Sequence, residues 1–180
     1  QIFWNVTSAC NFQGGICFSD SGAAAADDLT TAEARKAIRD AAAAGVKDIV
    51  VSGGEPFLRP DLFELLAYMR ELGTTARIAT NGSLLDRALL ERVRRETSTK
   101  AFQVSLDTLD RDAYRDIHGA PPEMLDTAIA ALRVMRELGF HTTVSSRLGP
   151  KTLPALPALL DRAAAEGWAT VTIHLPLHTG

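Results

Sequence analysis

Residues 48–73 read DIVVSGGEPFLRPDLFELLAYMRELG, and their pattern changes period halfway. Asp48 to Ser52 is a short apolar run of the length and β-branched content of a buried strand. Gly53-Gly54-Glu55-Pro56 then breaks the chain, and a helix is expected from Pro60-Asp61, with Leu62, Leu66, Met69 and Leu72 on one face and Gly73 just past its end. Strand, polar turn and amphipathic helix make one βα unit.

The unit repeats in both directions. Upstream, Ile2 to Thr7 reads as a strand followed by a loop holding Cys10 and Cys17, and Thr30 or Thr31 caps a helix that carries Glu33 in its first turn and runs to Gly45. Downstream, strands are expected at Ala76–Thr80, Ala101–Leu106, His141–Ser146 and Thr170–Leu175. Helices are expected between them, one lined by Leu85, Leu89 and Val93, one by Leu125, Ile129, Leu132 and Leu138, and one over Pro154–Gly167. Asp107 to Pro122 reads as a long connection, and Arg87 to Arg95 as a solvated helix face with Glu91 as an i+4 partner.

Six strands with five intervening helices predict an α/β fold with a parallel sheet and right-handed crossovers. A complete eight-fold barrel takes about 250 residues, more than the 180 present. The expectation is therefore a six-stranded partial (β/α)6 barrel of TIM-like type, with an open doubly wound sheet as the alternative, and one domain over residues 1–180. Both architectures bind ligands at the carboxyl ends of their strands. The polar clusters stand there: the cysteine loop, Gly53-Gly54-Glu55, Thr80-Asn81-Gly82, Ser105-Leu106-Asp107, and Ser145-Ser146-Arg147.

Composition narrows the function classes. A net charge of −3 and 23% charged residues give no sign of a nucleic-acid or anionic-membrane partner. No apolar run reaches the roughly 18 residues of a membrane span. Two cysteines are too few for a disulfide framework, and with no basic leader the chain is expected in the cytoplasm. His118, His141, His174 and His178 have spacings that match no common metal-ligand pattern. Taken singly, Cys10 and Cys17 also read as structural thiols, Gly53-Gly54-Glu55-Pro56 as a turn or an anion nest, and Arg147 as a surface ion-pair partner.

The ordered set resembles the radical S-adenosylmethionine (SAM) enzymes over essentially the whole chain. Members of that family carry C-x3-C-x2-C after the first strand, a GGEP-type motif after the second and a Ser-x-Asp ending at the fourth. The stretches WNVTSACN (4–11), CFSDSG (17–22), SGGEPFLRPDLFELL (52–66), TNG (80–82) and SLD (105–107) are most similar to the branch of heme-pathway and peptide-modifying oxidoreductases, which usually continue into a cysteine-rich domain for auxiliary clusters. That domain is expected to be absent here.

The resemblance implies a [4Fe-4S] cluster on three loop thiolates, soft ligands suited to iron–sulfur chemistry. Its open iron would chelate SAM, and one electron from a donor would cleave SAM to a 5′-deoxyadenosyl radical that takes hydrogen from a peptide or tetrapyrrole-like substrate. By the same match Cys10 and Cys17 are metal ligands, and Gly53, Gly54 and Glu55 receive the methionine amino group. Asn81, Ser105, Asp107 and Arg147 serve the ribose and carboxylate, while Ile16 and Leu175 lie against adenine. The middle cluster position is Gly14, which has no side chain to ligate iron. Two functions follow as expectations: a radical SAM core with impaired cleavage, or a cluster-less binding module that keeps the fold. The substrate and the oligomeric state are not legible.

Overall fold

The computed structural model describes residues 1–15, 17, 22, 23, 25 and 27–175. Ile16 and His178 lie outside the described residues. Six strands, β1 (Ile2–Asn5), β2 (Asp48–Ser52), β3 (Thr75–Thr80), β4 (Ala101–Ser105), β5 (His141–Arg147) and β6 (Thr170–His174), form one sheet in the order β1-β2-β3-β4-β5-β6. Every pair is parallel. A doubly wound sheet reverses its strand order partway, whereas this sheet never does. The architecture is the open, partial barrel.

Strand alternation divides the sheet into two faces. Ile49, Val51, Ile78, Phe102, Val104 and Val144 are at most 1% exposed and form the layer under the helices. Burying each of these side chains contributes about 1.5–3 kcal/mol. The opposite file through the middle of the sheet carries Arg77, Gln103, Ser105, Thr143, Ser145 and Arg147, all half-buried or exposed. The concave side is thus polar, and it opens onto the strand ends.

The helices are α1 (Thr31–Ala43), α2 (Leu62–Glu71), α3 (Arg87–Glu96), α4 (Arg111–His118), α5 (Met124–Glu137) and α6 (Leu156–Glu166). Of the two candidate caps of α1, Thr30 is the one used, and it forms a reciprocal cap with Glu33; Asp86 caps α3 by accepting from Leu89 N at 2.7 Å. Three expectations need correction. The connection after β4 is not a plain loop, because Asp110 accepts from Ala113 N at 2.8 Å and starts α4 there. In α3 the fully buried residues are Leu90 and Val93, with Leu89 half-buried. The element expected from Pro154 opens as a 3-10 turn, Leu153–Ala155, before α6 begins.

Candidate functional site

The loop leaving β1 is shaped by buried polar groups that hold it over the end of β2. Asp28 accepts from Thr7 Oγ1 at 2.9 Å, Ser8 N at 3.0 Å and Ser8 Oγ at 2.9 Å. The Ser8 amide above all keeps its carboxyl below the ordinary range. Arg59, 8% exposed, donates to Val6 O and Leu29 O and forms a two-pronged pair with Asp61. Sequence reading singled out neither Asp28 nor Arg59. A cation between Pro56 and Pro60 is the one sequence signal that could have marked the latter.

The glycine pair is required by this loop. Gly54 N donates to Thr7 O at 2.8 Å and Glu55 N to Ala9 O at 2.7 Å. A Cβ on Gly53, whose φ is +139°, would stand 2.4 Å from Thr7 O, and one on Gly54 would stand 2.1 Å from Ala9 O. Only residues without a Cβ let the two backbones meet.

Glu55 is completely buried. Its carboxylate accepts from Thr80 Oγ1 at 2.9–3.0 Å, Asn81 N at 2.9 Å and Phe57 N at 3.2 Å. Burial raises its pKa to about 7, and the three donors act against that rise. In this arrangement Glu55 ties the exit of β2 to the exit of β3. Asn81 continues the connection: its Nδ2 donates to Asn11 Oδ1 at 3.0 Å, its Oδ1 accepts from Ser83 Oγ at 2.6 Å, and Asn11 Nδ2 donates to Ser83 Oγ at 2.9 Å.

Cys10 is half-buried and Cys17 exposed. Burial pushes the Cys10 thiol up, the charges of Glu55 and Cys17 add to this, and hydrogen bonds from the Phe12 amide and Asn81 oppose it. Cys10, Cys17, Glu55 and Asn81 therefore converge on one neighbourhood. Between the cysteines, a Cβ on Gly14 would stand 3.2 Å from Ile117 O, 3.3 Å from His118 O and 3.4 Å from His118 Cα. The loop is pressed against the last turn of α4, where Phe12 meets Tyr114 edge-on at 6.3 Å and Gln13 N donates to Gly119 O at 3.4 Å.

A second cluster lies at the ends of β4 and β5. Asp107, 4% exposed, accepts from Ser146 Oγ at 3.0 Å and from Arg147 N at 2.6 Å. His118 Nε2 stands 3.3 Å from its other oxygen, out of line for a hydrogen bond. Burial holds His118 below the ordinary imidazole range, with Arg147 in the same direction and Asp107 against it. Ser105 is exposed beside Ser145, its partner in the sheet register. Leu175, 68% exposed, follows β6 at the far edge of the sheet. The structure thus joins Cys10, Gly53–Glu55 and Asn81 in one cluster and Asp107 with Arg147 in another, while Ser105 and Leu175 stand at separate strand ends.

A three-thiolate iron–sulfur cluster does not fit this donor set. The chain has two cysteines, and the position between them is a glycine turned toward the α4 backbone. Among the described residues no three His, Cys, Asp or Glu side chains gather as metal ligands. Along the strand-end rim stand the glycine pair, the exposed Ser105 and the half-buried Arg147.

The family model of the Radical SAM superfamily matches residues 4–178. Among curated proteins, Fe-coproporphyrin III synthase of Methanosarcina barkeri is 33% identical over 168 residues, 92% of this chain and 41% of that protein. An AdoMet-dependent heme synthase of the same organism is 28% identical over 180 residues, 99% of this chain and 51% of that protein. The chain spans about half the length of these relatives or less. Among solved structures, Streptococcus suis SuiB bound to the precursor peptide SuiA superposes with a TM-score of 0.83 at 20% identity, covering 97% of this chain and 38% of SuiB. That last likeness is one of fold.

Proposed function

This chain belongs to the radical SAM superfamily, and from that premise we propose that it is the SAM-binding core of a maturase or heme-pathway type protein whose cluster loop is one thiolate short. The carrying observation is Gly14 between Cys10 and Cys17, set against a strand-end rim that keeps its polar residues. SAM would lie across the ends of β2 to β5. Its methionine end would meet the main chain of Gly53-Gly54, and its carboxylate the Arg147 guanidinium, which Asp107 positions by fixing the Arg147 amide. Glu55 would act at one remove, as a fully buried group that holds Asn81 and the β3 exit in place. In a complete family site the cluster supplies the electron that cleaves SAM; with two thiolates this chain binds SAM without sustained cleavage.

The substrate class is a tetrapyrrole-like molecule or a peptide, supported by the names of the relatives and by the peptide held by SuiB. Residues 1–180 form a single domain in this reading. Two cysteines, too few for a disulfide framework, favour a reducing, cytoplasmic setting, and among the described residues no helix is long and apolar enough to cross a membrane.

The test is iron and sulfide content after anaerobic reconstitution, paired with calorimetric titration of the iron-free chain with SAM. Iron well below about four per chain, with saturable SAM binding that Arg147→Ala weakens, is the expected outcome. About four irons, with a reduced-cluster resonance perturbed by SAM, would overturn the cluster-deficient reading; no SAM binding would overturn the module.

A further inference from the structure

The amino-terminal mouth of the sheet lies at the opposite end of the strands from the residues described so far. There a cleft of about 530 Å3 is lined by Lys47, Asp48, Thr75, Arg77, Lys100 and His141. The parallel register gathers them. Lys47 and Lys100 are the residues that lead into β2 and β4, and Thr75 and His141 open β3 and β5. Arg77 projects from the concave file of β3, with Val50 and Ala101 as its register neighbours on either side. Both neighbours are too short to cover a guanidinium. Three cations thus meet one carboxylate, on a chain whose net charge is −3.

These cations also differ from several others of the chain in what they bond. Arg59, Arg92, Arg115 and Arg133 each hold a carboxylate at 2.6–2.9 Å. Arg77 stands 3.9 Å from Asp48, beyond hydrogen-bond length. Among the described residues, no hydrogen bond occupies the ammonium of Lys47 or Lys100. A concave site with unspent donors of one sign focuses its field on an incoming counter-charge. Arg offers a planar fork for two oxygens of one phosphoryl or carboxylate group, and each Lys a point charge for a further one. The Thr75 hydroxyl adds a neutral donor beside them. Asp48 disfavours a monoanion that engages a single cation, so the fit is to a ligand with two or more negative groups.

We propose that this mouth is a second ligand site, which binds a small polyanion through its phosphoryl or carboxylate oxygens. The six residues of β3 separate it from the SAM-directed rim by roughly 17 Å. The two sites are therefore distinct, and this one does not depend on cluster or SAM chemistry.

The test is calorimetric titration of the chain with pyrophosphate and, separately, with citrate, at fixed ionic strength. Saturable binding at about 1 mM or tighter is expected for at least one of them. Arg77→Gln and Lys100→Gln should each weaken it about tenfold. Lys36→Gln, on the outer helix α1 where Lys36 already holds Asp40 at 2.6 Å, should leave it unchanged. Binding of pyrophosphate alone assigns the site to phosphoryl groups, and binding of citrate alone to carboxylates. Arg77, Lys100 and Lys36 are exposed, so thermal melts of the variants should overlay that of the parent and separate lost binding from lost fold. Absence of saturable binding of both anions, or an equal loss in Lys36→Gln, overturns the proposal.

Discussion

Replacing Gly14 by cysteine tests whether the loop after β1 is a cluster loop missing one ligand. The new Cβ would sit 3.2–3.4 Å from Ile117 O, His118 O and His118 Cα. All three atoms are main chain, so no side chain can rotate away. Nor can α4 retreat cheaply, because Tyr114 is fully buried and Gly119 N is bonded to Arg115 O at 2.8 Å. Overpacking of this kind costs about 1–3 kcal/mol. Gly14 is not among the glycines with positive φ, so a side chain also restricts the unfolded chain and returns about 0.4–1 kcal/mol. The net expectation is a loss of about 0.5–2 kcal/mol, or roughly 1–8 °C in the melting midpoint of a domain of this size. Gly14→Ala should show the same loss and bind no more iron than the parent. Gly14→Cys should pay the same steric cost yet raise iron and sulfide after anaerobic reconstitution toward about four per chain. Differential scanning calorimetry and metal analysis on the three proteins check both halves. An alanine variant as stable as the parent would refute the packing argument. A folded cysteine variant with the parent's iron content would refute the assignment of the loop.

Three further outcomes follow from the buried groups. Glu55 has its pKa raised from 4.5 to about 7, so its contribution to stability is fully present below about pH 4.5 and lost as pH rises through about 7, roughly 3 kcal/mol in all. Urea midpoints of the parent against Glu55→Gln should therefore shift in favour of the variant between pH 5 and pH 8, and a constant gap would sink the argument. His118 works with the opposite sign: its depressed pKa means that stability is lost as pH falls below the ordinary imidazole range, and His118→Gln should reduce the destabilisation measured from pH 7 to pH 5. Gly54→Ala puts a Cβ 2.1 Å from Ala9 O and should cost more than about 3 kcal/mol in chemical denaturation; a near-parental midpoint would contradict the backbone contact described here.

The strand–turn–helix unit at 48–73 was legible because its apolar period changes cleanly and its buried positions are consecutive in sequence. Asp48–Ser52 is a strand over the expected residues, and α2 buries Leu62, Leu66 and Met69 as its spacing implies, with Leu65 in addition. Helix α4 was not legible. Its eight residues span two turns, and its apolar signal is limited to Ala113, Tyr114 and Ile117 among charged neighbours. Only Asp110 as a cap and Gly119 as a stop hinted at it. The same limit governs the site. That Gly14 removes a thiolate is a fact of sequence, but that it faces the backbone of α4 is a fact of packing. Glu55 was recognisable as unusual, yet its partners Thr80 and Asn81 lie at the end of another strand and just past it, 25 and 26 residues away. No local pattern encodes that distance.

Helix α4 also lies in contact with both clusters at the strand ends. On one side its last turn receives the cysteine loop, through Phe12 against Tyr114 and His118 and through Gln13 bonded to Gly119. A Cβ on Gly119 would stand 2.2 Å from Gln13 O, so that seat too depends on a missing side chain. On the other side His118 stands against Asp107, whose second oxygen fixes the Arg147 amide. A displacement of the loop is therefore expected to reach Asp107 and Arg147 through one short helix. Gly14 lets the loop sit close enough for that contact, and a residue with a side chain there must loosen it. The missing thiolate and the tight seat of α4 are one structural fact, so restoring the ligand should also disturb the Asp107–Arg147 end of the rim.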